Sequence, residues 1–494
     1  MSHTVDCDVL VVGAGPVGVT LAALLAGEGV SVLAAEQAAE IYPLPRAAHI
    51  DHEIVRVFQA IGAAEPVLAA AKAAGRYDFL TAAGETLLSF DSTQARSPSG
   101  WPASNMIHQP SVEAALRAAL ARSAPGALRS GWALLGLDAA ADGVVARFAT
   151  PEGERTVRAR YLVGCDGARS TVRDLSGIAL EDLKFDEPWL VIDTIVHDPA
   201  RLPDRNLQIC DPRRPTTCVL MGAGRHRWEF MMLPGETPEQ VSEPAFIAEL
   251  LKPWDVEGAV TLERAAVYRF HALVAQTWRR GRVLLAGDAA HQTPPFAGQG
   301  LCAGVRDAAN LAWKLGAVLR GAAAESLLDT YQTEREPHVR AFIDLALMMG
   351  RTVCITDPDA AAARDAAMLA QRASGQAQGP GLGGPALAGG CLLEGTPGAG
   401  EFFPQPWGPG GERLDETAGP GAWLIGRGVD PAGGPPGVAV LDLDQPHLQP
   451  FAADLSRWLE RHGAAAVLVR PDRYVFGTGS PADLAAAWTA ALGR

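Results

Sequence analysis

The sequence predicts an α/β fold: a parallel-sheet core assembled from separated segments, an interposed β-sheet insert, and a small C-terminal α/β unit. Three observations point there. Short, β-branched apolar runs end in glycine-bearing turns near residues 13, 165 and 287. Between 181 and 275 the texture changes to short alternating strands joined by Pro-rich turns. A Gly-, Pro- and Ala-rich stretch, 373–436, then sets the last segment apart. The resulting divisions are 1–180 and 276–372 for the two parts of the core, 181–275 for the insert, 373–436 for a linker with surface loops, and 437–494 for the C-terminal unit.

Residues 8–12, Asp8 followed by a continuous Val/Leu run, have the pattern of a strand buried on both faces. A glycine turn, a helix over 17–27 and a strand over 30–35 complete a βαβ unit. Helical spacing recurs at 52–60 and 111–122, a hairpin at 143–149 and 154–159, and a buried strand at 161–165. In the insert, strands are expected at 190–197, 206–210, 217–221 and 227–233. Another buried strand, 282–286, precedes helices over 301–320 and 326–349. The C-terminal unit reads as strands at 438–443, 465–470 and 474–476, with helices near 454–461 and 481–492.

A chain of 494 residues exceeds what one hydrophobic core usually serves, so two or three domains are expected. The formal net charge of −14 leaves no electrostatic footprint for nucleic acid. Residues 1–8 carry no basic segment leading into a cleavable apolar one, and no apolar stretch reaches a span length without Gly, Pro or charge. The seven cysteines include no C-x-x-C and no pair with metal-ligand spacing. They read as reduced thiols of a cytoplasmic protein, and no metal is expected.

Gly13-Ala14-Gly15-Pro16-Val17-Gly18 lies at a strand end and opens a helix. Gly13 allows the tight turn, Gly15 lets a pyrophosphate approach the backbone, and Gly18 lets helix and strand pack closely. Pro16 and Val17 begin the helix whose N-terminus favours the anion. Glu36, at the end of the second strand, is placed to bond ribose hydroxyls, which suits FAD and NAD alike. A second motif delivers Gly287-Asp288 to a strand end, where Asp288 can accept from a sugar hydroxyl. His291 and Pro294-Pro295 follow, then Gly298-Gln299-Gly300-Leu301-Cys302 at a helix start suited to developing negative charge. A third, Cys165-Asp166-Gly167-Ala168-Arg169 with Arg173, could order a second, nicotinamide-bearing ligand or simply cap a helix.

These three motifs, in this order, resemble the FAD-dependent aromatic hydroxylases of the para-hydroxybenzoate hydroxylase type, over about residues 5–350. The resemblance implies a Rossmann-like FAD-binding domain with an interposed β-sheet substrate domain. It implies FAD as cofactor, NADH or NADPH and O2 as co-substrates, and hydroxylation of a phenolic ring through a flavin C4a-hydroperoxide. Arg46 and Gln109 carry over as FAD contacts, as do Asp166, Gly287, Asp288, Pro295, Gly298, Gln299, Gly300, Leu301 and Cys302. Cys302 stands where many relatives carry Asn. The segments 45–51, 109–113, 211–215, 227–236 and 306–314 look like the 3-(3-hydroxyphenyl)propionate hydroxylase branch. The tail around 470–477 is similar to the thioredoxin-like C-terminal domain of larger members, without a C-x-x-C. The expected partners are a small aromatic substrate, O2 and NAD(P)H, with neither membrane nor nucleic acid and with room for a homodimer. Alternatives in view are a hydroxylase of polycyclic or polyketide aromatics, a flavin oxidoreductase that does not hydroxylate, and a dinucleotide-binding sensor.

The expected substrate contacts lie in the insert. Arg214 could hold a substrate carboxylate, or pair with Asp211 in a turn. Strand alternation puts His226, Trp228, Phe230 and Met232 on one face, which reads as an aromatic pocket wall or as plain core. Pro295, His49, His226 and His291 are the candidates for shaping the reaction or handling a proton, with a structural hydrogen bond the expected role for His49 and His291.

Overall fold

The computed structural model describes residues 5–92, 97–375 and 384–493. Met1–Thr4, within the N-terminal reading, and 376–383, within the expected linker, lie outside them. In the first sheet the strands Val283–Leu285, Gly153–Gly164, Cys7–Val12, Val32–Glu36 and Leu128–Ser130 run side by side and parallel. The register pairs Val12 with Gly164 and Ala35, and Gly164 with Leu285. All three motif turns therefore leave the same carboxyl edge of one sheet, where α/β proteins bind their ligands. The helices Pro16–Gly27 and Gly300–Leu319 follow the first and last of these turns. The expected hairpin and buried strand at 143–165 are the Gly143–Thr150 strand and one continuous strand, Gly153–Gly164.

The second sheet is built on two long antiparallel strands, Leu180–Val196 and Val260–Ala275. Next to the first come Arg225–Met231, Thr216–Leu220 and Asn206–Ile209. The Val260–Ala275 strand escaped the sequence reading because Glu263, Arg264 and Arg269 interrupt its apolar pattern. The sheet continues through Arg76–Leu80 and Thr86–Asp91. The boundary at 180 is therefore not a clean division: part of segment 1–180 belongs to the insert sheet.

The Gly/Pro-rich stretch is also more than a linker. The helix Pro358–Ala373 runs up to it, and Ala422–Gly426 is a strand of the C-terminal sheet. That sheet is mixed and four-stranded, in the order Val438–Asp442, Ala422–Gly426, Ala466–Val469, Val475–Gly479. Side chains of the core hold the loops before it. Glu334 accepts the Cys391 N–H at 2.8 Å, and Arg470 donates to Glu334 at 2.7 Å. Composition reads such loops as featureless because the partners that fix their backbone lie tens of residues away in sequence. Buried Lys314 sits 2.8 Å from the same Glu334. Its burial lowers its pKa to about 8, although Glu334 favours the charge. Among the described residues no helix is long and apolar enough to cross a membrane.

Candidate active site

The three turns open onto one cavity of about 1770 Å³. That exceeds the roughly 300–1,000 Å³ of an ordinary small-molecule site, so it has room for a dinucleotide and a second ring. Gly13 has φ +93°, and a Cβ there would fall 2.5 Å from the Cys165 carbonyl oxygen. A Cβ on Gly18 would lie 1.9 Å from the Gly13 oxygen. Neither lines the cavity; both bring the backbone close enough to make its floor. Gly15 does line it, with Pro16 and Val17, and a Cβ on Gly15 would meet nothing within 4 Å. The open space before this helix start is a cradle for an anion. Each Glu36 oxygen accepts one backbone N–H at 2.9 Å, from Ala14 and from Ala38. A second lone pair on each stays available to a hydroxyl.

Gly287 has φ +62°, and its N–H donates to Asp307 at 3.1 Å. Asp307 also takes bonds from His291 Nε2 at 2.6 Å and Arg335 Nε at 2.9 Å. Burial opposes its charge, but these two partners hold its pKa below the usual range. The anchored turn leaves the Asp288 carboxylate on the cavity wall. Asp288 is exposed to the cavity; enclosure by the cavity walls raises its pKa against the pull of His291 and Arg46, and among the described residues no donor hydrogen-bonds it. A carboxylate open to the cavity at this point can accept from a ligand rich in hydroxyls, as FAD is. Asp166 accepts from Ser170 Oγ at 2.5 Å and the Val172 N–H at 3.0 Å, so it caps its helix while facing the cavity. Arg173 ties that turn to the Gly287 turn through the Ala289 carbonyl at 3.2 Å. Arg46 and Gln109 line the same cavity, and Gln109 fixes the Arg46 segment by accepting the Ala47 N–H at 2.8 Å.

Pro295, Gly298, Gln299, Gly300 and Leu301 also line it, beside His49. Both His49 ring nitrogens are engaged, Nδ1 with the Gly298 carbonyl at 3.1 Å and Nε2 with Ser104 Oγ at 2.9 Å. A carbonyl only accepts, so Nδ1 carries a proton, and burial lowers the pKa of the ring. His49 thus shapes the 298–301 loop. The Cys302 thiol points away from the cavity, toward the His49 and Gly298 carbonyls at 3.9 Å.

The insert does not bring four expected substrate contacts and one expected proton carrier, Arg214, Trp228, Phe230, Met232 and His226, to the cavity wall. Alternation along Arg225–Met231 is as expected, but the cavity is on the other face. Trp228 and Phe230, with Met232 just beyond the strand, are buried in an apolar cluster with Leu190, Ile192 and Ile247. His226 packs against Trp228 with ring centroids 4.3 Å apart, and burial pushes its pKa down to about 3. An apolar row on a sheet is first of all core: the helix Pro244–Leu251 covers it and leaves no space for a ligand. Arg214 also lies off the cavity wall. Its partner is Glu236, at 2.8 Å from Nη1, whereas Asp211 pairs with Arg213 at 2.7 Å.

Among the residues that do face the cavity from this sheet are Arg227, Glu229, Thr217, Gln208 and Arg264, which the sequence reading did not select. The available signal was the charge at alternate positions 225, 227 and 229 of a strand whose other face is apolar. Arg227 and Arg264 clamp the buried Asp193 at 2.7 and 2.6 Å, and both donate to the Pro45 carbonyl at 2.9 and 2.7 Å. This cluster pins the insert sheet to the loop that carries Arg46.

Comparison with known proteins agrees with this geometry. Residues 6–346 match the family model described as FAD binding domain, and residues 436–494 match that of the HcaD C-terminal domain. The chain is 38% identical over 502 aligned residues to a probable NADH-specific resorcinol 4-hydroxylase of Rhodococcus jostii, covering 95% of this chain and 91% of that one. It is 41% identical to a 3-(3-hydroxy-phenyl)propionate/3-hydroxycinnamic acid hydroxylase of Mycolicibacterium smegmatis, covering 72% of this chain. That match spans only 63% of the relative, less than two thirds of its length. Among solved structures, aklavinone-11 hydroxylase in complex with FAD and aklavinone superposes with a TM-score of 0.82 at 27% identity, over the whole of both chains.

Proposed function

We propose for this chain, which belongs to the FAD-binding domain family, the hydroxylation of a phenolic ring with FAD as cofactor and NADH and dioxygen as co-substrates. The observation that carries the reading is one continuous cavity. It joins the Gly15–Val17 cradle, Asp288 and the 295–301 loop to the polar face of the insert sheet. The bound flavin, reduced by NADH, supplies the oxygen activation.

The chain's own residues bind and orient. In this reading Gly15, Pro16 and Val17 hold the pyrophosphate at the helix start, with Gly13 and Gly18 shaping the turn. Glu36, Arg46, Gln109, Asp166, Gly287 and Asp288 hold the sugar and ribityl side. The 295–301 backbone and the Cys302 turn line the ring side, where N–H groups at a helix start favour negative charge. Trp189, Phe270 and Phe296 pack against each other beside the loop, with centroids 5.7 to 6.1 Å apart, and keep water from that wall. The reading places the reaction in the cytoplasm, where reduced nicotinamide is available, and accommodates a homodimer.

The test is a balance sheet on purified holoenzyme. NADH oxidation should rise when a phenol is added, and hydroxylated product should approach the NADH consumed. Oxidation that yields only hydrogen peroxide with every phenol tried would leave a flavin oxidase and remove the hydroxylase.

A further inference from the structure

The insert wall of the cavity carries a row of side chains in direct cross-strand register. Val191 faces Glu229, Glu229 faces Thr217, and Thr217 faces Gln208. All four line the cavity. Glu229 is only 8% exposed, and burial raises its pKa against the pull of Arg227. Among the described residues no donor hydrogen-bonds its carboxylate; the nearest cation, Arg227 Nη1, is 3.8 Å away.

The hydrogens of the neighbouring hydroxyls are already spent. Thr217 Oγ1 donates to Gln208 Oε1 at 2.8 Å, and Tyr77 Oη donates to the same oxygen at 3.3 Å. Gln208 Nε2 donates to the Thr216 carbonyl at 3.1 Å, which leaves one amide N–H over. The row therefore presents more acceptors than donors: the lone pairs of Thr217, Tyr77 and Glu229.

The adjacent cations do not reverse this. Arg227 and Arg264 are engaged with Asp193 and with backbone carbonyls. The unbonded Arg264 Nε is buried and shielded from the cavity. Arg306 is committed to Asp51 and Glu53, each at 2.6 Å. Asp193 and Glu229 cancel Arg227 and Arg264, and Arg76 and Arg269, which also line the cavity from this sheet, pair with Asp78 at 3.2 Å and with Asp186 at 3.1 Å, so among the described residues this wall offers an anion no unpaired cation.

We infer that this wall selects an uncharged phenol bearing a second ring hydroxyl, which donates to Glu229, over a phenol carrying a carboxylate. A hydroxyl supplies the donor that the buried carboxylate lacks. A substrate carboxylate would have to be buried unpaired beside Glu229, which is costly. The inference rests on the hydroxylase reading and narrows its substrate.

The experiment titrates oxidised holoenzyme with 1,3-dihydroxybenzene and with 3-(3-hydroxyphenyl)propionate, following the flavin absorbance, and assays both for NADH-driven hydroxylation. Wild type is expected to bind the neutral phenol at least about tenfold more tightly. Glu229→Gln should weaken the neutral phenol by roughly tenfold and the carboxylated one little, with flavin content retained. If E229Q does not hold flavin, Thr217→Val removes an acceptor from the same row and should shift the preference in the same direction. Equal or tighter binding of the carboxylated phenol by wild type overturns the inference while its hydroxylation preserves the wider reading. Equal losses for both phenols in the variant also overturn it. Hydroxylation of neither phenol, nor of any other, removes the reading and the inference together.

Discussion

The core sheet and the insert sheet meet at one cavity but encode their contributions differently. At the carboxyl edge of the core, the ligand-facing groups are backbone turns and the residues next to them. Gly13–Gly18, Cys165–Arg169 and Gly287–Asp288 each fall within a few consecutive residues, and parallel register sets them side by side. In the insert the ligand-facing groups are every second side chain of several strands. Shifting the choice by one residue exchanges the whole set for the opposite face. Trp228, Phe230 and Met232 suit an aromatic ligand by composition, yet they are the core of the insert. Arg227 and Glu229, which composition would send to solvent, face the cavity. Aromatic and apolar side chains say where burial is; which buried face is a site depends on what packs over it.

The largest expected effect tests the backbone side of this comparison. Gly18→Ala places a Cβ against the Gly13 carbonyl, an atom that cannot move without opening the turn. The purified protein should carry little or no flavin, read from its visible absorbance; a full complement of FAD would show that the close approach is dispensable. Trp228→Ala probes the insert. Its side chain is fully buried, so truncation should cost about 3–5 kcal/mol in urea unfolding. The folded fraction should keep its order of preference among phenols, and a changed order would put Trp228 in the substrate wall after all. Asp288→Ala comes next. Loss of a carboxylate that takes ligand hydroxyls should weaken FAD by about 1.5–3 kcal/mol, roughly ten- to a hundredfold, without lowering the stability of the apoprotein. Unchanged FAD affinity by fluorescence titration would remove it from the site. Arg214→Leu should do least. The Arg214–Glu236 pair is partly exposed and off the cavity, so the change should cost about 1 kcal/mol or less and leave KM unaltered for charged and neutral phenols. A selective rise in KM for carboxylated phenols would return Arg214 to the site.

The boundaries of the helix Pro16–Gly27 and of the strands around it were legible because each depends on neighbours in sequence: a β-branched run, a turn glycine, a helix former. The pairing of Arg76–Leu80 with Asn206–Ile209 was not, since nothing local in either segment names the other. The same holds for the loops before Ala422, whose order comes from Glu334 and Arg470. Asp288 could be chosen from sequence because a strand end followed by glycine fixes where a side chain goes. Glu229 could not, because its meaning depends on Asp193, Arg264 and Thr217 arriving from three other strands.

By itself, then, the sequence determined the α/β class, the order of the three cofactor turns and the chemistry they suit. Those rest on interactions of short sequence separation, where steric freedom at glycine and strand-to-helix spacing decide the outcome. Tertiary structure alone decided which face of the insert looks into the cavity. It also decided that Arg214 and His226 are spent elsewhere, and that the wall opposite the flavin site presents acceptors rather than a free cation. A side chain's charge or aromaticity is local, but whether it meets a ligand depends on the layer that covers it, and here that layer is the helix Pro244–Leu251 on one side and the core on the other.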